Sequence, residues 1–196
     1  MTFRIQLYTL IVSIYVMDSL EIYSKESTNK KGGTILEILD IIYSRRNIKS
    51  FKSDPIDMEQ INKWLQAGTM APNHRMTEPW EVYIVGQETR AQLNHKADFW
   101  NAPVVLAVLS KHGATEVETY ENILATACFV QNFNLAAWAE GVGTFWSSLG
   151  NNLQKREILG VPDGYDVIGV FGVGYPDEVS QPKERTIIED KIKYLP

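Results

Sequence analysis

The sequence predicts one principal domain that mixes helices with strands, on three observations. Glu116–Glu140 reads as a long helix, closed by Gly141 with Gly143 just beyond. Pro103-Val-Val-Leu-Ala-Val-Leu109 is a nearly unbroken apolar run of strand length, the pattern of a strand buried on both faces. Further helix and strand patterns alternate around these two from Thr34 to Val173. A chain of 196 residues is long enough for one good core, possessing room for an appendage besides.

In chain order, residues 1–33 stand apart as an N-terminal appendage, and residues 34–196 form the domain. Phe3–Met17 is apolar, and strand alternation and helical spacing compete within it. Gln6, Thr9 and Ser13 interrupt it short of a membrane span, which disfavours an anchor, and no A-x-A cleavage site follows. Thr34-Ile-Leu-Glu37 is a capping box, and Ile35, Ile38, Leu39 and Ile42 continue as an apolar stripe. A second helix starts at Asp57, turns Ile61, Trp64 and Leu65 inward, and stops before Pro72. Trp80–Val85 is a strand, Gln87–Lys96 a short helix, and Pro103–Leu109 the buried strand. In the long helix Ile123, Leu124, Ala127, Cys128, Leu135 and Trp138 wrap more than one stripe, as in a helix that is buried or paired with another subunit. Cys128 is expected there as packing. Thr144–Gly150 is a strand and turn, a short helix runs through Lys155–Leu159, and Asp166–Val173 is the last strand. The tail from Asp177 is charged and cannot form a core of its own.

Formal net charge is -5, which argues against a general nucleic-acid binder needing a basic face. Against that acidic background Arg45-Arg46-Asn47-Ile48-Lys49-Ser50-Phe51 concentrates three cations within five residues. Arginine offers a planar fork of donors suited to phosphate, and Asn47 and Ser50 add short neutral donors. A solvated helix end would account for the cluster equally well. The single cysteine excludes an intrachain disulfide, which favours a reducing, cytoplasmic setting. His74, His95 and His112 are scattered, with no metal-ligand spacing, so no metal is expected. There is no nucleophile elbow, P-loop or zinc-protease motif, and the glycines of Gly169–Gly174 sit within a strand. A chain without its own nucleophile or metal set can borrow chemistry from a cofactor, and an aromatic-rich chain with one phosphate-like pocket fits that idea.

Taken together, Arg45–Phe51, Ala71-Pro72-Asn73-His74, Glu78-Pro79-Trp80, Asn101-Ala-Pro-Val-Val, Gly141-Val-Gly-Thr-Phe-Trp146 and Gly172-Val-Gly-Tyr-Pro176 resemble the flavin-dependent nitroreductase family, in the same order. The short length and the A-P-x-H loop resemble its compact bacterial branch, which includes the YdjA-type reductases. The resemblance implies an α+β fold with a central, mostly antiparallel sheet flanked by helices. It implies a homodimer with FMN at the interface and hydride transfer from NAD(P)H to nitroaromatic, quinone-like or other small electrophilic acceptors by ping-pong kinetics. By position, Arg45, Arg46 and Asn47 would contact the FMN phosphate and ribityl chain, with Arg185 as a further phosphate arginine. Lys49 would stabilise the reduced ring electrostatically, and no side chain is assigned as catalytic. Pro72, Asn73 and His74 would come from the partner subunit, and Trp146, Ser147 and Ser148 would run beside the ring. Asn47 stands where the family usually has Ser, Lys49 where Arg is also common, and Glu78 where Gln usually precedes Pro-Trp. Two alternatives are a non-catalytic nucleotide- or RNA-binding module built on the basic cluster, and specialised flavin chemistry such as reductive dehalogenation.

Overall fold

The computed structural model describes residues 38–196; the appendage and the Thr34–Glu37 capping box lie outside the described residues. Four strands form one sheet in the order β1-β2-β4-β3: β1 Trp80–Ile84, β2 Val104–Lys111, β3 Gly143–Ser147 and β4 Tyr165–Gly174. Every pairing is antiparallel. The central position of β2 explains its unbroken apolar run: Val105, Ala107 and Leu109 join one core, while Leu106 and Val108 join the other. Both cores contain aromatic residues, Phe99 and Phe145 in the first, Trp64, Phe129 and Phe133 in the second.

A register shift interrupts the β2–β4 ladder. Val108 pairs with Gly169 and Leu109 with Val167, which leaves Ile168 as the extra residue. One extra residue reverses the alternation, so Val167 and Val170 both reach the first core.

The helices follow their sequence signals closely. Helix α1 is Ile38–Ser44 and α2 is Met58–Gly68, where the carboxylate of Asp57 accepts a hydrogen bond from the Glu59 amide at 2.9 Å. Ile61 and Trp64 are buried, as their spacing requires, and Leu65 packs partly buried beside them. Helix α3, Gln87–Leu93, ends where Asn94 takes a left-handed conformation. A short helical segment, Ala97–Asn101, carries Asp98, Phe99 and Trp100 at positive φ. Helix α4, Glu116–Ala139, starts at Thr115, whose hydroxyl accepts from the Glu118 amide. It ends before Gly141, at φ +80°. Helix α5 is Leu153–Ile158.

Helix α4 corrects one expectation. Its buried face is Ala125, Phe129, Val130, Phe133 and Ala137, with Asn122, Thr126 and Asn134 among them. Val117, Tyr120 and Leu124 face outward, and Cys128 is exposed among them instead of packed. Helix α1 behaves alike: none of its residues is buried, and the stripe of Ile38, Leu39 and Ile42 is exposed. Two apolar stripes therefore lie outside the core of the single chain. Among the described residues no helix is long and apolar enough to cross a membrane, and no group of three or more His, Cys, Asp or Glu could hold a metal.

Candidate functional site

The segment after α1 runs as an extended strip along the β3 edge and on toward the end of β4. The Ile48 amide donates to Thr144 O at 3.0 Å, and Asn47 bridges Thr144 in parallel. Farther on, the Lys52 amide donates to Tyr175 O at 2.9 Å, and Phe51 bridges Pro176. Ile48 and Phe51 turn into the core at 1% and 7% exposure. Gly143 makes the close approach possible, because a Cβ there would overlap the Ile48 side chain. At the start of the strip the Ser44 hydroxyl accepts from Trp138 Nε1 at 2.9 Å, tying it to the end of α4.

This docking leaves the polar side chains of the strip pointing into a cavity of about 850 Å³. Arg45, Arg46, Asn47 and Lys49 line one wall. Lys183 and Arg185, from the tail beyond β4, line the same cavity. Five cations thus face Glu178, the single carboxylate of the lining, in a chain whose net charge is -5. None of the five has an ion-pair partner among the described residues. Arg46 Nη1 donates to Tyr43 O at 2.7 Å and to Arg45 O at 3.0 Å, while its Nε is buried with no partner. Burial, then the neighbouring charges of Arg46 and Arg185, push the Arg45 guanidinium below its ordinary value. A cavity rich in unspent cationic donors and poor in acceptors suits a phosphate-bearing ligand.

The structure thus brings Arg45, Arg46, Asn47, Lys49 and Arg185 together. Lys183 was missed, although its place two residues before Arg185 is the signal that could have found it: alternate residues of an extended segment share a face. Trp146, Ser147 and Ser148 lie next to the strip but outside the cavity lining. Asn47 Oδ1 accepts from the Trp146 amide at 3.3 Å, so Asn47 orients the exit of β3. The Trp146 ring, 43% exposed, lies against Phe171 at 5.0 Å, and its indole N–H donates to Ile168 O at 3.1 Å, which satisfies the bulge carbonyl. The Ser147 hydroxyl accepts from the Leu149 amide and shapes the turn that follows.

Pro72, Asn73 and His74 are not part of this cavity. Asn73 is committed to its own loop: Oδ1 accepts from the Glu78 amide at 3.0 Å, and Nδ2 donates to Ala71 O at 3.2 Å. The Thr77 hydroxyl donates to Asn122 Oδ1 on α4 at 3.2 Å. His74 is exposed and lines a smaller cavity of about 290 Å³, in which Arg75 and Lys111 are offset by Glu118 and Glu121.

An antiparallel sheet with helical elements on both faces and a polycationic pocket beyond its edge defines an α+β protein equipped to hold a polyanion. Comparison with known proteins specifies the class further. The model of the nitroreductase family matches residues 42–97 and 89–175. YfhC of Bacillus subtilis (strain 168), provisionally named an NAD(P)H nitroreductase, is 33% identical over 177 residues, spanning 78% of this chain and 91% of the relative. A crystal structure of a nitroreductase-like family protein from Bacillus cereus superposes with a TM-score of 0.76 at 26% identity, covering 84% of this chain and 98% of that one. The NADPH:FMN oxidoreductase of Vibrio harveyi, solved with NAD+, shares the fold with a TM-score of 0.73 at 24% identity, covering 80% of this chain and 76% of that one. The chain belongs to the nitroreductase family, has the nitroreductase-like α+β fold, and is an oxidoreductase by that membership.

Proposed function

We propose that this protein binds FMN in the cationic cavity and works as an NAD(P)H-dependent reductase of small electrophilic acceptors, nitroaromatic or quinone-like. The observation that carries the reading is the convergence of Arg45, Arg46, Lys49, Lys183 and Arg185, unpaired among the described residues, in an otherwise acidic chain. Bound FMN would supply the hydride-transfer chemistry that these side chains lack. Arg45, Arg46 and Arg185 hold the phosphate by charge-assisted hydrogen bonds, and Asn47 serves the ribityl chain. Lys49 keeps a fixed positive charge at the pyrimidine edge, offsetting the negative charge that reduction brings there. Trp146, Ser147 and Ser148 border the ring.

The site is completed by Pro72, Asn73 and His74 of the partner subunit. The exposed apolar face of α4, with Val117, Tyr120 and Leu124, is the surface by which we assign a homodimer. Donor and acceptor occupy one open face in turn, which gives ping-pong kinetics. A cytoplasmic setting accords with the single cysteine.

Absorbance and reconstitution test this reading. The purified protein is expected to carry FMN, or to bind it when flavin is added back, and to give parallel double-reciprocal lines when NAD(P)H and acceptor are varied. Lys49→Met is expected to slow flavin reduction under saturating FMN more than it weakens FMN binding. A protein that neither carries nor takes up FMN overturns the proposal, and intersecting lines overturn the shared face.

A further inference from the structure

The loop that carries His74 is tied to α4 through one threonine, and it is held in a conformation it would not take unaided. Arg75, Met76 and Glu78 have φ of +52°, +53° and +43°. None is glycine, so neighbouring contacts must impose this left-handed backbone. A set of hydrogen bonds around Thr77 does so. Its amide donates to His74 O at 3.2 Å, which closes the turn that carries the histidine. Its hydroxyl donates to Asn122 Oδ1 at 3.2 Å. Asn122 Nδ2 donates in turn to Lys111 O at 3.0 Å, and the Lys111 amide donates to Pro79 O at 2.8 Å, two residues beyond Thr77. Loop, β2 and α4 are thereby joined in one ring of hydrogen bonds.

Asn122 suits the junction. It is 7% exposed, and both ends of its amide are engaged in the ring, so turning away would leave buried polar atoms unpaired. It lies on the core side of α4, whereas Val117, Tyr120 and Leu124 are exposed on the same helix. Whatever fixes α4 against a second copy therefore also fixes Thr77, and through it His74, relative to that copy. Arg75 adds a weaker, exposed tie, its Nη1 lying 3.8 Å from Glu118 Oε1. Thr77 does not line the cationic cavity of its own subunit, so any effect it has on a ligand there is indirect.

We propose that Thr77 and Asn122 are positioning residues for the flavin of the partner subunit. Their hydrogen bond carries the placement of α4 to His74, and so sets how Pro72, Asn73 and His74 meet the cofactor across the interface. This rests on the proposed function for the cofactor and for the reach of the loop; the ring of hydrogen bonds is independent of both.

Thr77→Val keeps the shape of the side chain and removes the hydroxyl, and Thr77→Ser keeps the hydroxyl. Flavin fluorescence measures FMN affinity of the full chain, with His74→Ala as the reference for the loop itself. Thr77→Val is expected to weaken FMN about three- to tenfold, the scale of one neutral hydrogen bond, and Thr77→Ser is expected to bind as the parent does. Thr77→Val added to Asn122→Ala is expected to cause no further loss, because both remove the same contact. Refolding Thr77→Val together with Arg45→Ala is expected to return about a quarter of all sites to parental affinity, which only a lesion acting across a two-fold dimer can do. If Thr77→Val binds as the parent while His74→Ala is impaired, the positioning role is overturned and the loop's place in the site stands. Equal impairment of Thr77→Ser and Thr77→Val, or additive losses with Asn122→Ala, also overturns the positioning role alone. If Thr77→Val yields no parental sites on mixing but His74→Ala does, the same holds. If neither yields them, or if both variants bind FMN as the parent does, completion of the site by the partner falls as well. A parent protein that takes up no FMN overturns both.

Discussion

The strip Arg45–Phe51 and the loop Ala71–Trp80 were both expected to touch the cofactor, and they are built on opposite plans. In the strip the backbone does the fixing, through the Ile48 amide and the Asn47 and Phe51 bridges. Ile48 and Phe51 add apolar anchors, so Arg45 and Lys49 are left to reach for a ligand. In the loop the side chains do the fixing. Asn73 bonds at both ends, and Thr77 is held by Asn122. Arg75, Met76 and Glu78 take positive φ. A segment docked by its backbone has side chains to spare for a ligand, whereas a loop tied by its side chains has few. Pro72 and His74 remain exposed, free for the role proposed for them at a partner subunit's site.

The contrast can be broken hardest at the strip's anchor. Ile48→Ala removes a side chain that is 1% exposed and is expected to cost about 2–5 kcal/mol of stability, with FMN affinity falling in parallel. Urea unfolding of the flavin-stripped protein measures the first and flavin fluorescence the second. A loss well under 1 kcal/mol would mean that the strip is not held from below.

Subunit mixing sharpens the contrast next. Arg45→Ala is expected to weaken FMN by about 1.5–3 kcal/mol, the scale of a hydrogen bond to a charged group. His74→Ala is expected to weaken it less. If the two residues serve one cofactor from different subunits, unfolding and refolding the two variants together places both lesions in one site of each heterodimer and neither in the other. About a quarter of all sites are then intact, as random pairing in a two-fold dimer requires. Titration that shows only the two impaired affinities would place both residues in the same subunit's site.

The smallest expected effect lies in the loop. Asn73→Ala removes the acceptor for the Glu78 amide and is expected to cost about 1 kcal/mol, read as a lower Tm of the flavin-stripped protein. An unchanged Tm would mean that the prolines alone hold the loop.

Signals that act within a few residues were legible in the sequence. Asp57 capped its helix, Gly141 followed the end of α4, and the run around Val105–Leu109 became the central strand. What depends on the choice of neighbour was not. Helical spacing drew attention to Leu124 and Cys128, but the core took the face of Phe129 and Phe133, because a pattern shows an apolar stripe and not what will cover it. The bulge at Ile168 is a property of two strands together and has no mark in either. In the site, Arg45, Arg46, Asn47, Lys49 and Arg185 line one cavity, the first four being neighbours in the sequence already. Lys183 was legible only through its spacing from Arg185, and where that stretch runs along the cavity is set in three dimensions.

The hydrogen bond from Trp138 to Ser44 has an optical consequence. Of the five tryptophans, Trp64 is sealed in the core, whereas Trp138 is bonded to the residue just before Arg45, and Trp146 is bonded through its amide to Asn47. The Trp138 indole thus borders the strip and the Trp146 backbone is bonded to it, so displacement of the strip alters the surroundings of both residues. A ligand that absorbs near the indole emission band would also draw off their fluorescence by energy transfer. The chain carries its own reporter of occupancy, with no dye to attach and no residue to replace.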